Sequence, residues 1–433
     1  MSPFGLDAMD TNSLCEQLSV FAHEHGVQAI FGYKPKYTME GVSLSEAVIT
    51  TRFSVILPIY IDGRVKEVVG LMPDIRNMML TTFGLRCSLI SAPLSLEVYR
   101  PEPLILEYDP PKLDPLTAYL GERYDETFTK VLPWTLSMAD PEIANVLIAG
   151  TTGSGKTTAL RAILFSLLMN NEPDDLTLDI IDMKLSGSRL FAGWPHVRSF
   201  SFQTPQARRV VEAFHEELMH RIAQQISSPM RILVVDELAT LNMADTHVRD
   251  ELLPDIGRLG RELNMRLVVT AQKPTVEVVG SQLRPQLGVR ILGRTESNKE
   301  GSWILNRPDA NTHLLPGKGV MVSVIGGSNL LRGQIAFIRS SQVEQETDVE
   351  WSSTEVAETA QAQSKSPAQI DAEAVHEVIL EALDDSGRLV HGGLAKVAEA
   401  LGVTYKGPKN RNRVKRAISY VQQQEFNGTT DDS

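Results

Sequence analysis

NVLIAGTTGSGKT, residues 145–157, contains the pattern from which the architecture of the central part of the chain can be predicted. An apolar strand runs into Gly150–Thr157, which fits the pattern G-x-x-x-x-G-K-[ST], and the apolar helix of residues 158–169 follows. A phosphate-binding P-loop requires this order of strand, glycine loop and helix. The alternative is a glycine turn with a chance lysine, and the agreement of the pattern and of both flanks argues against it.

The P-loop predicts how a nucleotide would be held. Its glycines let backbone N–H groups face the phosphates, and the helix N-terminus adds a favourable field. Lys156 would neutralise the β- and γ-phosphates, and the Thr157 hydroxyl would hold Mg²⁺. ATP and Mg²⁺ are therefore the expected cofactors. The predicted nucleotide contacts are Gly150, Thr151, Thr152, Gly153, Ser154, Gly155, Lys156, Thr157 and Thr158.

A second buried strand, residues 231–237 with the sequence RILVVDE, ends in two carboxylates. We expect Asp236 to contact Mg²⁺ through water and Glu237 to orient and deprotonate the attacking water. A kinase takes its nucleophile from a substrate, so the adjacent glutamate favours hydrolysis. An ordinary polar strand end would be the better interpretation of this strand alone, but the P-loop upstream favours the catalytic one.

A third strand, residues 266–274 with the sequence RLVVTAQKP, ends in Thr270 and Gln272. Placed between two neighbouring strands, Gln272 would lie next to the γ-phosphate and sense hydrolysis by exchanging hydrogen bonds. A solvated strand end is the alternative, which would be favoured without the other two motifs.

The periodicity divides the chain into six segments. Short apolar strands alternating with helices from about residue 134 to 338 indicate an α/β motor with a mainly parallel sheet. Strand-like alternation around 49–61 and an amphipathic helix at 68–83 indicate a small α+β domain before it. We expect an N-terminal helical segment at 1–42 with its helix at 13–25, the α+β domain at 43–115, the motor at 116–340, an acidic linker at 341–368, a helix-turn-helix at 369–426 and a tail at 427–433.

Composition excludes several classes of protein. The 433 residues carry a net charge of -12, and 42% are hydrophobic, which rules out a disordered chain and argues against an even coat of nucleic-acid-binding charge. Two cysteines cannot build a secreted disulfide framework. No apolar run approaches the roughly 20 residues of a membrane span, so we expect a cytoplasmic protein with no membrane span.

The C-terminal segment reverses the overall charge. Residues 386–420 contain eight basic residues and one acidic residue, whereas residues 341–385 contain twelve acidic residues and one lysine. Two predicted helices precede a third with basic residues at its start, as in a helix-turn-helix with or without a wing. A basic helix in a protein-interaction domain is the alternative. The predicted DNA-contacting residues are Lys409, Arg411, Arg413, Lys415 and Arg416.

With three motifs in order, the chain resembles the FtsK/SpoIIIE family of DNA translocases. The matching stretches are VLIAGTTGSGKT, DIIDMK, ILVVDELATL, LVVTAQKPTVEVV, VRILGR and HLLPGKGVMV, and a small domain from about residue 45 also resembles the family. In DIIDMK, Met183 replaces the family's proline. The resemblance implies a RecA-like P-loop motor without the membrane-anchoring segment of the cell-division members.

The resemblance further implies a ring hexamer in which an arginine of one subunit completes the ATP site of its neighbour. Arg261 aligns with the family's finger position, Arg258 lies one turn earlier, and Arg290 is a weaker candidate. A surface salt bridge is the alternative for each. Asp182 and Lys184 would lie at a strand end next to the P-loop strand, a place that in the family is near the nucleotide and the ring channel; the alternative is an ion pair within the subunit.

The resulting hypothesis is an ATP-driven double-stranded DNA translocase that forms a hexameric homo-oligomer and is loaded or oriented by its C-terminal domain. Loop 186–189 is the expected site of non-specific contact with DNA phosphates in the ring channel. Two alternatives stay open: a conjugative-element, plasmid or phage DNA-transfer or packaging ATPase of the same fold, and a DNA-binding regulator that uses ATP as an assembly switch. A metabolic P-loop kinase is disfavoured by Gln272.

Overall fold

The computed structural model describes residues 11–38, 41–46, 48–50, 54–91, 93–100, 103, 105–125, 128, 130–140, 143, 145–185, 187–327, 330–345, 378–379, 382–383, 393–400, 414 and 418. The chain divides into two compact units, Met1–Asp348 and Val349–Ser433. No helix among these residues is long and apolar enough to cross a membrane.

The first unit begins with an antiparallel sheet and two helices. The strands follow the order β1-β5-β7-β6, β4 pairs with β5, and β2 and β3 form a separate pair. In chain order the elements are α1 (Thr11–Glu24), β1 (Ala29–Phe31), β2 (Tyr33–Thr38), β3 (Gly41–Glu46), β4 (Ile49–Thr50), β5 (Ser54–Ile61), α2 (Val65–Phe83), β6 (Arg86–Ser91) and β7 (Leu94–Tyr99).

Helix α1 is part of this sheet domain. The boundary predicted at residue 42 had instead made the helix a separate segment. Leu14 and Leu18 of α1 lie in one hydrophobic core with Val68 of α2 and Leu96 of β7. The strand that follows α1 pairs with β5. A lone amphipathic helix cannot bury its apolar face by itself, so it packs on the nearest sheet.

A ten-stranded mixed sheet forms the rest of the described part of the first unit. Its elements are β8 (Thr117–Tyr124), β9 (Val131–Ser137), β10 (Asn145–Ala149), α3 (Lys156–Met169), β11 (Leu176–Asp182), β12 (Val197–Ser201), α4 (Thr204–Gln224), β13 (Met230–Asp236), α5 (Leu238–Ala244), α6 (Leu253–Leu259), β14 (Met265–Ala271), α7 (Val276–Val279), β15 (Val289–Leu292), α8 (Asn298–Leu305), β16 (Val320–Ile325), β17 (Leu331–Ile335) and α9 (Ser340–Gln345).

The strand order is β12-β11-β13-β14-β10-β15-β16-β17-β8-β9. Six neighbouring strands are parallel to one another: β12, β11, β13, β14, β10 and β15. The remaining four, β16, β17, β8 and β9, continue the sheet with antiparallel pairings. The mainly parallel α/β sheet predicted for the motor is therefore confirmed. The predicted neighbourhood of Asp182 is wrong, because β11 pairs with β12 and β13, and two strands, β13 and β14, separate it from β10, which carries the P-loop.

Both faces of this sheet are covered, which explains why its strands read as continuous apolar runs. In β13, Leu233 and Val235 point into one hydrophobic core, while Ile232 and Val234 point into the core on the other face. Side chains alternate between the faces at period two, so a strand buried on both sides needs an apolar residue at every position.

A buried polar network joins the small domain to the motor. Glu97 of β7 and Arg332 of β17 form an ion pair of 2.9 Å, with side chains only 1% and 4% exposed. Tyr99 and Ser54 donate hydrogen bonds to the same carboxylate, at 2.8 and 3.2 Å. Buried charges require such partners, so this network fixes the position of β7 against β17.

The predicted acidic linker overlaps the end of the first unit. Helix α9 includes its first residues, and Val343 is buried in the core that α3 shares with the sheet. In the second unit the described helix α10 (Gly393–Ala400) buries Val397 and Ala398, and Val414 and Ile418 are helical and buried. The predicted DNA contacts Lys409, Arg411, Arg413, Lys415 and Arg416 lie outside the described residues.

Candidate active site

The P-loop connects β10 to α3 in the conformation that its glycines permit. Gly150 and Gly155 have φ values of 142° and 105°, which side chains on L-residues rarely allow. A Cβ on Gly155 would also lie 2.6 Å from the backbone of Gly319. The loop therefore closes tightly over the start of α3, where backbone N–H groups are free of helical partners.

Two neighbouring loops brace the P-loop through its backbone. Thr151 N–H donates to the Arg294 carbonyl at 2.7 Å, and Gly319 N–H donates to the Ser154 carbonyl at 3.0 Å. These contacts come from the ends of β15 and β16. The Ser154 side chain is fully buried behind the loop, so its contribution to a bound phosphate would come from its backbone.

Lys156 lies partly buried at the head of α3. Its Nζ donates to the carbonyls of Gly150 and Thr151 at 2.7 and 3.1 Å. Burial lowers the pKa of the Lys156 ammonium, and the carboxylates of Glu237 and Asp236 act in the opposite direction. The cation thus faces two acidic side chains across the space in which a phosphate would lie.

Asp236 and Glu237 follow β13, and Thr270 of the neighbouring strand β14 holds both. The Thr270 hydroxyl donates to Asp236 Oδ1 at 2.7 Å and accepts from the backbone N–H of Glu237 at 2.9 Å. Parallel strands β13 and β14 end at the same edge of the sheet, which brings the two motifs together. One threonine therefore fixes the turn that carries both carboxylates.

The Glu237 side chain is clamped from two directions. Lys184 Nζ donates to Glu237 Oε2 at 2.9 Å, and the Gln272 backbone N–H donates to Oε1 at 3.4 Å. The Glu237 residue is 5% exposed, and its φ of 71° places it in the left-handed region. Such a conformation is costly for a residue with a side chain and concentrates at functional sites.

Lys184 belongs to a turn that also touches the P-loop. The Asp182 carboxylate accepts from the Lys184 backbone N–H at 3.1 Å and from the Ser188 hydroxyl at 2.8 Å. Gly187 lies so close to Thr157 that an added Cβ would come within 2.0 Å of the threonine Cγ2. Asp182 thus shapes the turn, whereas Lys184 reaches the Glu237 side chain.

These residues line one cleft of about 460 Å³. Thr152, Gly153, Gly155, Lys156, Thr157, Thr158, Asp236, Glu237 and Gln272 are the predicted site residues that line it. Sequence reasoning did not assign Thr270 or a second group to the cleft: Pro103, Ile105, Leu106, Lys318, Gln334, Ile335 and Phe337. The proline cluster near residue 103 signalled only a connector.

The oxygen donors of the cleft suit Mg²⁺. The Thr157 hydroxyl and the Asp236 carboxylate line the same space, and no cluster of three or more acidic, histidine or cysteine ligands occurs among the described residues. Mg²⁺ in phosphate sites takes one or two protein oxygens and completes its shell with water and phosphate. The donor set therefore fits this metal.

Arg261 lies far from the cleft of its own subunit. It occupies the turn Gly260–Leu263 before β14, whereas Thr270 and Gln272 lie at the opposite end of that strand. Seven strand residues span about 20 Å. The guanidinium is half exposed, with its Nε 3.9 Å from Glu262. Arg261 therefore does not contribute to the cleft of its own chain.

The other two arginine candidates have partners within the subunit. Arg258 forms a 2.7 Å ion pair with Asp255, as the alternative interpretation expected. Arg290 donates to the carbonyls of Leu287 and Ile304 at 2.9 Å each. Arg290 thus ties β15 to α8.

Comparisons with known proteins agree with these motifs. The model described as "FtsK/SpoIIIE family" matches residues 131–229. The DNA translocase FtsK of Helicobacter pylori strain J99 is 27% identical over 231 residues, which cover 48% of this chain and 27% of the relative. The DNA translocase SpoIIIE of Bacillus subtilis strain 168 is 24% identical over 235 residues, which cover 48% of this chain and 30% of the relative.

Solved structures with similar coordinates include the pCW3 conjugation coupling protein TcpA, at 17% identity and a TM-score of 0.49 over 76% of this chain and 94% of that one. The cytoplasmic domain of the type VII secretion ATPase EccC from Thermomonospora curvata has 24% identity and a TM-score of 0.44, over 55% of this chain and 30% of that one. This chain spans less than a third of the two curated relatives. The resemblance to the FtsK/SpoIIIE family that the motifs indicated is nevertheless confirmed, and residues 131–229 are the segment that the family model matches.

Proposed function

We propose that this chain is an ATP-driven double-stranded DNA translocase that works as a ring of identical subunits, a hexamer, in the cytoplasm. The observation that carries the proposal is the clamped Glu237 at the P-loop cleft, 2.9 Å from Lys184 and bonded to the backbone of Gln272. A carboxylate held in that position is suited to activating water against a bound triphosphate.

Five side chains of the cleft have a role in this hydrolysis. Lys156 and the backbone N–H groups of the P-loop bind the phosphates, and Glu237 accepts a proton from the attacking water. Thr157 and Asp236 would hold Mg²⁺, which supplies positive charge to the phosphate oxygens. The Gln272 amide, at the end of β14 between β10 and β13, would register loss of the γ-phosphate through its backbone contact with Glu237.

Arg261 would complete the site of a neighbouring subunit. Its position at the far end of β14 supports action in trans, because the guanidinium cannot reach the cleft of the same chain. An arginine supplied across an interface stabilises charge in the transition state only when the subunits are docked. Hydrolysis would thereby depend on assembly of the ring.

DNA is proposed as the substrate for two reasons. The relatives that match the ATPase segment are named DNA translocases. Residues 386–420 carry eight basic and one acidic residue. A C-terminal unit that binds DNA phosphates would lose affinity steeply as salt rises. Indifference of DNA binding to salt would argue for the protein-interaction alternative.

The decisive experiment measures ATP hydrolysis by the full chain with and without long duplex DNA, beside displacement of a triplex-forming strand from the same duplex. We expect DNA to stimulate hydrolysis and ATP to drive displacement. The Glu237→Gln variant should bind ATP and DNA but show neither activity. Absence of stimulation by duplex DNA would refute the translocase.

The same assay distinguishes the second alternative, the DNA-binding regulator, from a translocase. A DNA-binding regulator with ATP as an assembly switch would form rings with ATP and bind DNA. It would not displace the triplex strand, and Glu237→Gln would leave its DNA binding and assembly unchanged.

A further inference from the structure

The turn that carries Arg261 folds around a second arginine. Arg266, the second residue of β14, is only 1% exposed. Its guanidinium donates to the backbone carbonyls of Arg261 and Gly260 at 2.7 and 3.3 Å, and to the Asn264 side-chain oxygen at 3.2 Å. The Arg261 side chain, by contrast, is half exposed. A buried guanidinium therefore holds the backbone from which an exposed one extends.

Backbone carbonyls, and not a carboxylate, are the partners of the buried charge of Arg266. Within the described ranges of the chain, no acidic side chain lies within ion-pair distance of this guanidinium. Burial lowers the pKa of Arg266, the charge of Arg261 adds to this effect, and Glu262 opposes it. A charge is expensive to bury unless polar groups bond to it. The bonds to this turn are therefore the feature that offsets the burial of Arg266.

The turn has a tight conformation that few residue types allow. An added Cβ on Gly260 would lie 2.5 Å from the Met265 carbonyl oxygen, and Asn264 ends the turn with a φ of 52°. The turn also follows the end of α6, where backbone carbonyls lack partners within the helix and attract positive charge. A cation at this place stabilises the backbone path of the turn.

A further buried arginine holds the other end of the turn. Arg221 of α4 is 3% exposed and donates to the carbonyls of Leu263 and Pro229 at 3.0 and 2.7 Å. The Glu217 carboxylate accepts from the same guanidinium at 3.1 and 3.0 Å, which orients it. Buried side chains thus bind carbonyls at both ends of the turn, and the backbone of Arg261 lies between them.

We propose that Arg266 is a positioning residue for Arg261: it holds the turn in the conformation from which the Arg261 guanidinium reaches the ATP site of a neighbouring subunit. This inference rests on the proposed function, because it assumes that Arg261 acts in trans. A charge stabilises a transition state most when it is held in place beforehand. Arg266 lies about 20 Å from Gln272, at the opposite end of β14. Its loss should therefore impair the site that receives Arg261 and spare the cleft of its own chain.

The test measures ATP hydrolysis by the full chain with Arg266→Met, which keeps the length of the side chain and removes its donors. Alone, this variant should show a kcat about 10-fold or more below the wild type, while the ATP dissociation constant changes less than about 2-fold. A mixture with Lys156→Ala should regain activity, because that protein supplies an intact Arg261 turn. A mixture with Arg261→Ala should not, because neither protein then supplies a well-placed Arg261.

Two further variants serve as controls. Arg266→Lys should regain part of the rate, since an ammonium group can still donate to the Arg261 carbonyl. Arg290→Met is the matched control, because Arg290 also donates to two backbone carbonyls at 2.9 Å, but β10 separates its strand from β14. Its kcat should stay near that of the wild type. Urea unfolding shows which variants are folded, and Arg266→Lys replaces Arg266→Met in the mixtures if the latter is not.

Two results would overturn the positioning role alone. One is a folded Arg266→Met protein with the wild-type kcat, although Arg261→Ala and Lys156→Ala restore each other. The other is a loss that Lys156→Ala does not restore in mixed rings, which would place the damage in the cleft of the variant's own chain. A wild-type rate for Arg261→Ala would instead contradict the action of Arg261 in trans, and the role of Arg266 with it.

Discussion

Lys184 Nζ lies 2.9 Å from Glu237 Oε2, which joins the turn after β11 to the turn after β13. The two strands are parallel neighbours, and Asp182 stands opposite Asp236 in their register. The glutamate side chain is 7% exposed, whereas the lysine side chain is 42% exposed. A half-exposed cation thus orients a nearly buried carboxylate at the active site.

We expect Lys184→Ala to lower kcat about 10-fold or more while the ATP dissociation constant changes less than about 2-fold. A hydrogen bond to a charged group contributes about 1.5–3 kcal/mol, and its loss would leave the Glu237 carboxylate free to turn away from the attacking water. Steady-state hydrolysis and nucleotide binding by calorimetry separate the two effects. Lys184→Arg should restore part of the rate.

Lys273→Ala provides the control for that experiment. Lys273 also pairs with a glutamate, Glu296 at 3.0 Å, but both side chains are more than half exposed. Exposed ion pairs contribute little free energy, so the kcat of the Lys273→Ala variant should stay near that of the wild type. A Lys184→Ala protein with unchanged kcat would show that the ion pair has no part in positioning Glu237.

Gly187→Ala tests the contact between the Lys184 turn and the P-loop. The backbone of Gly187 is in the right-handed helical region, so alanine costs nothing in φ and ψ, but its Cβ would lie 2.0 Å from Thr157 Cγ2. Overpacking of this kind costs about 1–3 kcal/mol. Because Thr157 is the proposed Mg²⁺ ligand, we expect a higher Mg²⁺ concentration for half-maximal hydrolysis.

The matched control is Gly70→Ala in helix α2, where an added Cβ meets no atom within 4 Å. That change should leave the Mg²⁺ dependence unaltered and should raise stability slightly, since alanine is the better helix former. Equal Mg²⁺ dependence in both variants would contradict the steric link between Gly187 and Thr157.

The sequence predicts the parts of this site that local pattern controls. The P-loop and the strands ending at Asp236 and Gln272 each combine an apolar run with polar residues at its end, and the sheet brings them to one edge. Strand order, by contrast, depends on packing between distant segments. The expectation that Asp182 lies beside the P-loop strand was therefore wrong, because β13 and β14 separate β11 from that strand.

The cleft residues Ile105 and Phe337 had no local signal either. Ile105 stands in a proline-rich stretch that reads as a connector, and Phe337 follows the last strand of the motor. The bridge between Glu107 and Phe337, the hydrogen bond from the Phe337 N–H to the Leu106 carbonyl and the ion pair between Arg339 and Glu107 bring these two distant stretches together. A contact across more than 200 residues leaves no periodic trace in a single sequence.

The proposal that Arg261 acts in trans predicts complementation between two inactive proteins. Arg261→Ala keeps its own P-loop, and Lys156→Ala keeps its own arginine. Each alone should hydrolyse ATP at least about 100-fold more slowly than the wild type, because an arginine finger contributes about 10³–10⁵ in rate. A mixture should regain activity, since some interfaces pair an intact P-loop with an intact Arg261.

Arg258→Ala is the control variant for this complementation experiment. In the wild type, Arg258 pairs with Asp255 of the same chain at 2.7 Å. Arg258→Ala alone should keep near-normal hydrolysis. A mixture of Arg261→Ala and Lys156→Ala that remains inactive, although size-exclusion chromatography shows mixed rings, would contradict action in trans.

The buried pair between Glu97 and Arg332 predicts a large effect on stability. Arg332→Met would leave the Glu97 carboxylate without its cation in an interior where that side chain is 1% exposed. Removing one partner of a buried pair costs about 3–5 kcal/mol, whereas replacing both by apolar residues is often close to neutral. Arg332→Met combined with Glu97→Leu should therefore unfold at a higher denaturant concentration than Arg332→Met alone.

Arg339 and Glu107 supply the comparison, because their 2.9 Å ion pair has side chains 63% and 54% exposed. Arg339→Met should lower the free energy of unfolding by less than about 1 kcal/mol. Urea unfolding followed by tryptophan fluorescence measures both, since Trp134 is fully buried next to Gly333, the residue that follows Arg332. Equal midpoints for Arg332→Met and Arg339→Met would mean that the buried network does not hold the small domain on the motor.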